Sequence, residues 1–124
     1  MIVGTGIDIV DVQRIEKHFV RNGAMFEKVF SPEEISYCDG CAKPYEHYAA
    51  RFAAKEAFLK ATGLGLTAGF DLCDIVISSD EVGKPQVTLR GNFREMALKQ
   101  SWKIIHVSLS HITNVAVASV TIET

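Results

Sequence analysis

Asp8, Glu56, Lys60 and His106 stand out for where they sit. Asp8 follows Gly4 and Gly6 on one face of an alternating stretch rich in Val and Ile. A carboxylate flanked by positions without side chains leaves room for a ligand or for another backbone. The ordinary alternative is an Asp that caps a helix starting near Asp11, and taken alone Asp8 favours that. Glu56 and Lys60 lie four apart in Arg51-Phe52-Ala53-Ala54-Lys55-Glu56-Ala57-Phe58-Leu59-Lys60, so they share one helix face. Arg51 and Lys55 are also four apart, and the simplest reading of this helix is a solvated face with weak surface ion pairs. Glu56 complicates that reading. It falls at the edge of the apolar face, and a partly buried carboxylate there needs a partner. In His106-Val107-Ser108-Leu109-Ser110-His111, a strand would put His106, Ser108 and Ser110 on one face and Val107 and Leu109 on the other. Such a polar face either lines a cleft or is the exposed side of an antiparallel sheet.

Other motifs are weaker. Cys38-x-x-Cys41 is half of a zinc or redox pattern, and no second CxxC follows it. Gly4-x-Gly6 and Gly63-x-Gly65 are too short for a dinucleotide fingerprint or a phosphate loop. No G-x-S-x-G nucleophile elbow occurs. His18 and His47 read as ordinary surface or boundary residues.

The elements that must position these groups alternate between strands and helices. Met1 to Val10 reads as a strand, and Asp11 to about Arg21 as a helix with Val12, Ile15 and Phe19 in its stripe. Asn22-Gly23 should end that helix. Ser31-Pro32-Glu33-Glu34 is a helix start, with Ser31 as cap and Glu34 completing a capping box. The longest helical signal runs from Tyr45 to Thr62, with Tyr48, Phe52 and Leu59 on one face, Ala49 and Ala53 allowing close packing, and Gly63 as its stop. Ile75–Ile77 and Gln86–Leu89 are strands around a turn, Asn92 to Gln100 is a short helix, and Lys103–Ser110 and Val115–Glu123 form a hairpin. The order β-α-α-α-β-β-α-β-β implies an α+β fold, a mostly antiparallel sheet packed with a long helix. Residues 1–124 are expected to form one domain.

Composition narrows the classes. The chain has 124 residues, 48% hydrophobic and 23% charged, enough to bury a core without disulfide or zinc staples. No apolar run approaches the roughly 20 residues of a membrane span. The start reaches Asp8 too soon for a signal peptide. Three Cys argue against a fully paired disulfide framework, so a reducing cytoplasm is expected. A net charge of −2 gives no reason to expect nucleic acid as partner.

Taken together, the segments resemble the holo-acyl-carrier-protein synthases, small 4′-phosphopantetheinyl transferases. The match rests on Gly6-Ile7-Asp8-Ile9-Val10 with Arg14-Ile15, on Arg51 to Ala61, on Gly83-Lys84-Pro85 and on His106 to His111. It runs through nearly the whole chain. Leu64 departs from it, standing where the family commonly has Thr, and Cys38 to His47 is less basic than in many relatives. The resemblance implies transfer of 4′-phosphopantetheine from coenzyme A to a serine of apo acyl carrier protein, with release of adenosine 3′,5′-bisphosphate. It implies Mg²⁺ held by Asp8 and Glu56, with waters and diphosphate oxygens completing a hard-oxygen shell. Lys60 would place an ammonium on the same diphosphate. The serine proton would pass to Glu56 or to a water. By the same resemblance Lys43, Arg51, Lys60, Gly63, Lys84, Pro85 and His106 would bind the coenzyme. Arg14 and Arg21, on a helix face with His18, would meet an acidic carrier protein. A homotrimer with sites between subunits is implied too, and the small and apolar residues on both faces of Val115–Val120 suit burial on both sides. Two other functions use the same residues: a Mg²⁺-dependent nucleotide phosphohydrolase, with water replacing the serine, and a non-enzymatic oligomerisation or carrier-binding module.

Overall fold

In the computed structural model the described residues are 1–21, 23–66 and 68–124, without the side chains of Val20 and Arg21. The chain runs β1 (Ile2–Asp11), α1 (Val12–Arg21), α2 (Gly23–Val29), α3 (Pro32–Asp39) and α4 (Pro44–Thr62). A short 3-10 turn (Leu72–Asp74) leads into β2 (Ile75–Ser79), β3 (Pro85–Leu89), α5 (Gly91–Gln100), β4 (Ile104–His111) and β5 (Val115–Glu123). Strands β1, β5 and β4 form an antiparallel sheet in that order, and β2 pairs with β3 in a separate hairpin. The α+β fold with antiparallel pairing is the one the sequence predicts.

Helix α4 is the centre of the packing. Ala49, Ala50, Ala53, Ala54, Ala57, Phe58 and Ala61 are all buried, so the helix is enclosed on most sides although it carries several charged residues. The sheet lies on it at close range because of two glycines. A Cβ on Gly4 would sit 1.9 Å from the Ala61 carbonyl oxygen, and one on Gly6 would sit 1.9 Å from that of Ala57. The space over Gly4 and Gly6 is therefore filled by the backbone of α4. The alternation of β1 then points Gly4, Gly6, Asp8 and Val10 at the helix. Val3, Ile7 and Ile9 face outward, 49%, 65% and 71% exposed. On β5, Ala116, Ala118, Val120 and Ile122 are buried under α4, while Ser119 on the other face is exposed.

Three sequence expectations change. Helix α1 ends at Arg21, where expected, but Gly23 then opens a further helix, α2, and Asn22 lies outside the described residues. Helix α2 forms because Phe26 packs edge-on against Tyr48 at 4.8 Å and Phe19 at 5.3 Å, an aromatic contact that sequence spacing does not display. Asp11, not Asp8, caps α1, its Oδ1 accepting from the Arg14 amide at 3.1 Å. The solvated Arg51/Lys55 face does not exist. Arg51 is 4% exposed and Lys55 is fully buried.

Lys55 is held by a charge that the sequence presents as a helix cap. The Ser31–Glu34 capping box forms as expected, with the Ser31 amide donating to Glu34 Oε1 at 2.9 Å. Lys55 Nζ lies 2.7 Å from that same oxygen and donates to the carbonyls of Leu72 and Ile75, and the Ile77 amide donates to Glu34 Oε2 at 2.9 Å. Burial pushes the Lys55 ammonium below its usual range, and the Glu34 carboxylate opposes that shift. One ion pair thus joins α3, α4 and β2.

Two substitutions check this architecture. Lys55→Met leaves the Glu34 carboxylate buried and unpaired, so urea unfolding is expected to show a loss of about 3–5 kcal/mol; a loss below about 1 kcal/mol would contradict the anchor role. Gly6→Ala forces its methyl group into helix backbone and is expected to cost at least about 1–3 kcal/mol. Gly65→Ala, whose Cβ meets nothing within 4 Å, should stay within about 0.5 kcal/mol of the parent.

Candidate active site

The glycine contact sets the position of the rest of β1. With Gly6 seated on Ala57, Asp8 comes beside the next exposed turn of α4. Lys60 Nζ lies 3.0 Å from Asp8 Oδ1 and donates to the Ile7 carbonyl at 3.0 Å. The Asp8 side chain is 17% exposed and that of Lys60 is 56% exposed, so the pair is sheltered on the carboxylate side and open on the ammonium side. Glu56 stands one turn back on the same helix face. Burial raises its pKa first, the Asp8 charge raises it further, and Lys60 partly offsets both. Two carboxylates and one ammonium therefore share a small volume at the helix–strand contact.

Two clefts meet at Glu56. One of about 520 Å³ runs along Asp8, Val10, Arg14, His18, Phe52 and Glu56, walled by α1. The other, about 450 Å³, is lined by Glu56, Lys60, Gly63, Leu64 and Leu66 beyond the end of α4. Gly63 sits there at φ +72°, a left-handed cap whose amide donates to the Lys60 carbonyl. Asp8, Glu56, Lys60 and Gly63 are thus brought together, with Arg14 on the wall of the first cleft. The Arg21 side chain lies outside the described residues.

A third cleft, about 410 Å³, gathers Arg51, Lys84 and Pro85 with Tyr37, Ser108 and His111, and His47 also lines it. The Arg51 guanidinium lies 4.4 Å over the Tyr37 ring. The His47 and His111 rings are 5.0 Å apart, and His111 Nδ1 is 3.1 Å from Glu46 Oε1. Sequence reading passed over His47 and His111 at this place. The available signal was the i, i+4 spacing of His47 and Arg51, but only the packing of β4 on α4 makes it a cleft.

His106 joins neither group within the chain. It points out from the sheet, on the face opposite Asp8, and its Nε2 meets Glu123 Oε2 at 2.9 Å. Lys43, 70% exposed, stands outside all three clefts and pairs with Glu46 at 4.0 Å.

A metal ion is tested by the donors present. Asp8 and Glu56 offer only hard carboxylate oxygens, and the like charge that raises the Glu56 pKa is what a divalent cation relieves. Among the described residues no three His, Cys, Asp or Glu side chains converge. Two protein carboxylates suit Mg²⁺, which keeps waters and substrate phosphates, better than they suit zinc. Cys38 of the CxxC pair is buried and its thiol is pushed up to about 12, chiefly by burial, so it is poorly suited to thiolate ligation.

Known proteins are similar to this chain over nearly its whole length. The model of the 4′-phosphopantetheinyl transferase superfamily matches residues 4–120. The holo-[acyl-carrier-protein] synthase of Geobacter sulfurreducens is 48% identical over 125 residues, covering 99% of this chain and 98% of that protein. That of Syntrophus aciditrophicus is 48% identical over 124 residues, covering 99% and 97%. Among solved structures, the Neisseria meningitidis synthase superposes with a TM-score of 0.90 at 33% identity, covering all of both chains. The Helicobacter pylori synthase in complex with coenzyme A gives 0.83 at 33% identity, covering 96% of this chain and 99% of that one. The fold and the sequence match define a phosphopantetheinyl transferase, and the chain is an enzyme of that kind. It belongs to the holo-acyl-carrier-protein synthases of the 4′-phosphopantetheinyl transferase superfamily.

Proposed function

We propose that the chain, in the cytoplasm and with Mg²⁺, transfers 4′-phosphopantetheine from coenzyme A to a serine of apo acyl carrier protein. The products are the holo carrier and adenosine 3′,5′-bisphosphate. The observation that carries this reading is Lys60, 3.0 Å from Asp8 and one turn from Glu56, where two clefts meet. The names of the relatives and the coenzyme A bound to the Helicobacter pylori structure support the same substrates.

The serine oxygen forms a bond to the phosphorus that bears the pantetheine, and the bond from that phosphorus to the bridging oxygen breaks. The bridging oxygen leaves with the adenosine 3′,5′-bisphosphate. The serine proton goes to a carboxylate oxygen of the Asp8–Glu56 pair, directly or through water. Lys60 neutralises charge that grows on the leaving phosphate. Asp8 and Glu56 would hold the magnesium ion, which when bound supplies positive charge to the diphosphate. Arg14, on the wall of the first cleft, and Arg21 would receive the acidic carrier. Arg51, Lys84 and Pro85 would hold the 3′-phosphate and nucleotide, with Lys43 and His106 at its edge.

Assembly is part of the proposal. The Asp8 group and the Arg51 cleft share no lining residue, and His106 faces away from Asp8. Val3, Ile7 and Ile9 form an exposed apolar row on the strand that carries Asp8. Three copies closed in a ring would cover that row and bring one copy's Arg51 cleft to the next copy's Asp8.

Intact mass of a purified apo acyl carrier protein, after incubation with the enzyme, coenzyme A and Mg²⁺, tests the reaction. One phosphopantetheine per carrier is expected, and none with chelator. Lys60→Ala should slow transfer by about 10²–10³-fold. Its unfolding midpoint should barely move, because an exposed pair is worth only about 0.2–1 kcal/mol. Coenzyme A consumed without carrier modification would mean a phosphohydrolase instead. Neither consumption nor modification would leave a binding module.

Sedimentation tests the assembly. The native chain is expected at three times the chain mass, and Ile9→Asp as a folded monomer without transfer activity. A native monomer with full activity would overturn the shared site.

A further inference from the structure

Arg51 poses a problem of charge. Its side chain is 4% exposed, and its Nε has no hydrogen-bond partner among the described residues. None of the ion pairs there includes it. A buried guanidinium without a counter-charge is costly, and the Tyr37 ring beneath it supplies only part of the compensation. The cleft in front of Arg51 adds Lys84, His47 and His111. Of the charged groups that face His47, only Glu46 is negative. It is already engaged by His111 at 3.1 Å and Lys43 at 4.0 Å. The cleft is short of one anion.

We infer that His47 is a specificity-determining residue of this cleft, taking up a proton when a phosphomonoester dianion binds against Arg51. The inference rests on the reading of the cleft as the nucleotide half of the transferase site. The proton comes from solvent and stays on the imidazole, and no covalent bond changes. The groups facing His47 are Tyr37 from α3, Glu46 and Arg51 from its own helix, and His111 from β4, with Lys84 lining the same cleft from the turn before β3. His111 is the competing group, and its Nδ1 faces Glu46 at 3.1 Å.

In the free protein, burial, then His111, then Arg51 lower the His47 pKa, with Glu46 opposing. A dianion in the cleft reverses the balance and favours imidazolium. Linkage sets the sign. A ligand that raises the His47 pKa binds more tightly as pH falls through the bound-state value towards the lower free-state value. Nucleotides with a 3′-phosphate are thereby favoured over those without one.

Calorimetric titration of the full chain with adenosine 3′,5′-bisphosphate, and separately with adenosine 5′-monophosphate, tests this in two buffers of different ionisation heat. The native protein is expected to absorb about 0.5–1 proton per bisphosphate near neutral pH and almost none with the monophosphate. Between about pH 8 and 6.5, its affinity gain for the bisphosphate should exceed that of His47→Gln by about five- to tenfold. Comparison with that variant cancels the ligand's own titration. Equal proton uptake in His47→Gln, or uptake abolished only by His111→Gln, overturns the inference. If transfer proceeds and the bisphosphate binds without His47-linked uptake, this inference alone fails. If the bisphosphate does not bind and the carrier stays unmodified, the reading of the site fails with it.

Discussion

The contact of β1 on α4, with no side chain between them, is the constraint on which the site depends. Gly4 and Gly6 put strand backbone against the carbonyls of Ala61 and Ala57. At that separation Asp8, two residues further along the strand, falls within 3.0 Å of Lys60. A side chain at either glycine would lift the strand away and stretch the Asp8–Lys60 pair with it. The alanines of α4 do the same work from the other side. Ala57 and Ala61 alternate with Glu56 and Lys60, so the same stretch of helix packs on the strand and presents charge beside it. Both partners lack bulk where they touch, so Asp8, a sheltered carboxylate, reaches charges from α4 without being buried among apolar atoms.

Adjacent residues on α4 have opposite fates. Lys55 points inward to Glu34 and to two carbonyls, and Glu56 points to the clefts. The inward charge fixes the rotation of the helix about its own axis. If α4 turned, Lys55 would lose Glu34, and a buried ion separated from its partner costs several kcal/mol, about 3–5 in measured cases. That penalty holds Glu56 and Lys60 in register with β1. The ion pair is weak evidence for stability in itself, since desolvating two charges offsets much of their attraction. Its structural value lies in allowing one orientation of the helix that carries the site.

Much of this was legible in the sequence. The strand–helix order, the antiparallel hairpins, the Ser31–Glu34 capping box and the shared face of Glu56 and Lys60 follow from local spacing, and local spacing decides them physically. What escaped depends on contacts between distant segments. The Arg51/Lys55 pair looks like surface charge because helical periodicity cannot reveal that Glu34 lies opposite Lys55, 21 residues earlier. Helix α2 was missed because its seven residues carry little propensity signal and are held by Phe26 against Tyr48 and Phe19. His47 read as a boundary residue because its neighbour His111 is on another element. The gap beside Asp8 was visible, but whether a ligand or a backbone fills it is settled only by the approach of α4.

The two groups of charges have opposite needs. At Asp8 and Glu56, two carboxylates share one ammonium, and the raised Glu56 pKa expresses the cost. Around Arg51, cationic and basic groups crowd a cleft that no carboxylate lines among the described residues, and Glu46 beside it is already engaged. A protein that kept both imbalances within its own fold, with no substrate to relieve them, would be storing cost without return. In the proposed function, a coenzyme carrying a diphosphate and a 3′-phosphate would relieve the cationic group directly. Together with a divalent cation it would relieve the acidic one. Among the described residues the clefts at the two groups share no lining residue, while Val3, Ile7 and Ile9 leave an apolar row exposed on the strand that bears Asp8. In the proposed assembly, covering that row with a neighbouring copy would remove exposed apolar surface and bring complementary charges to face each other across the same seam. Hydrophobic burial and electrostatic balance would then favour one arrangement, in which the substrate is the part that completes the charge.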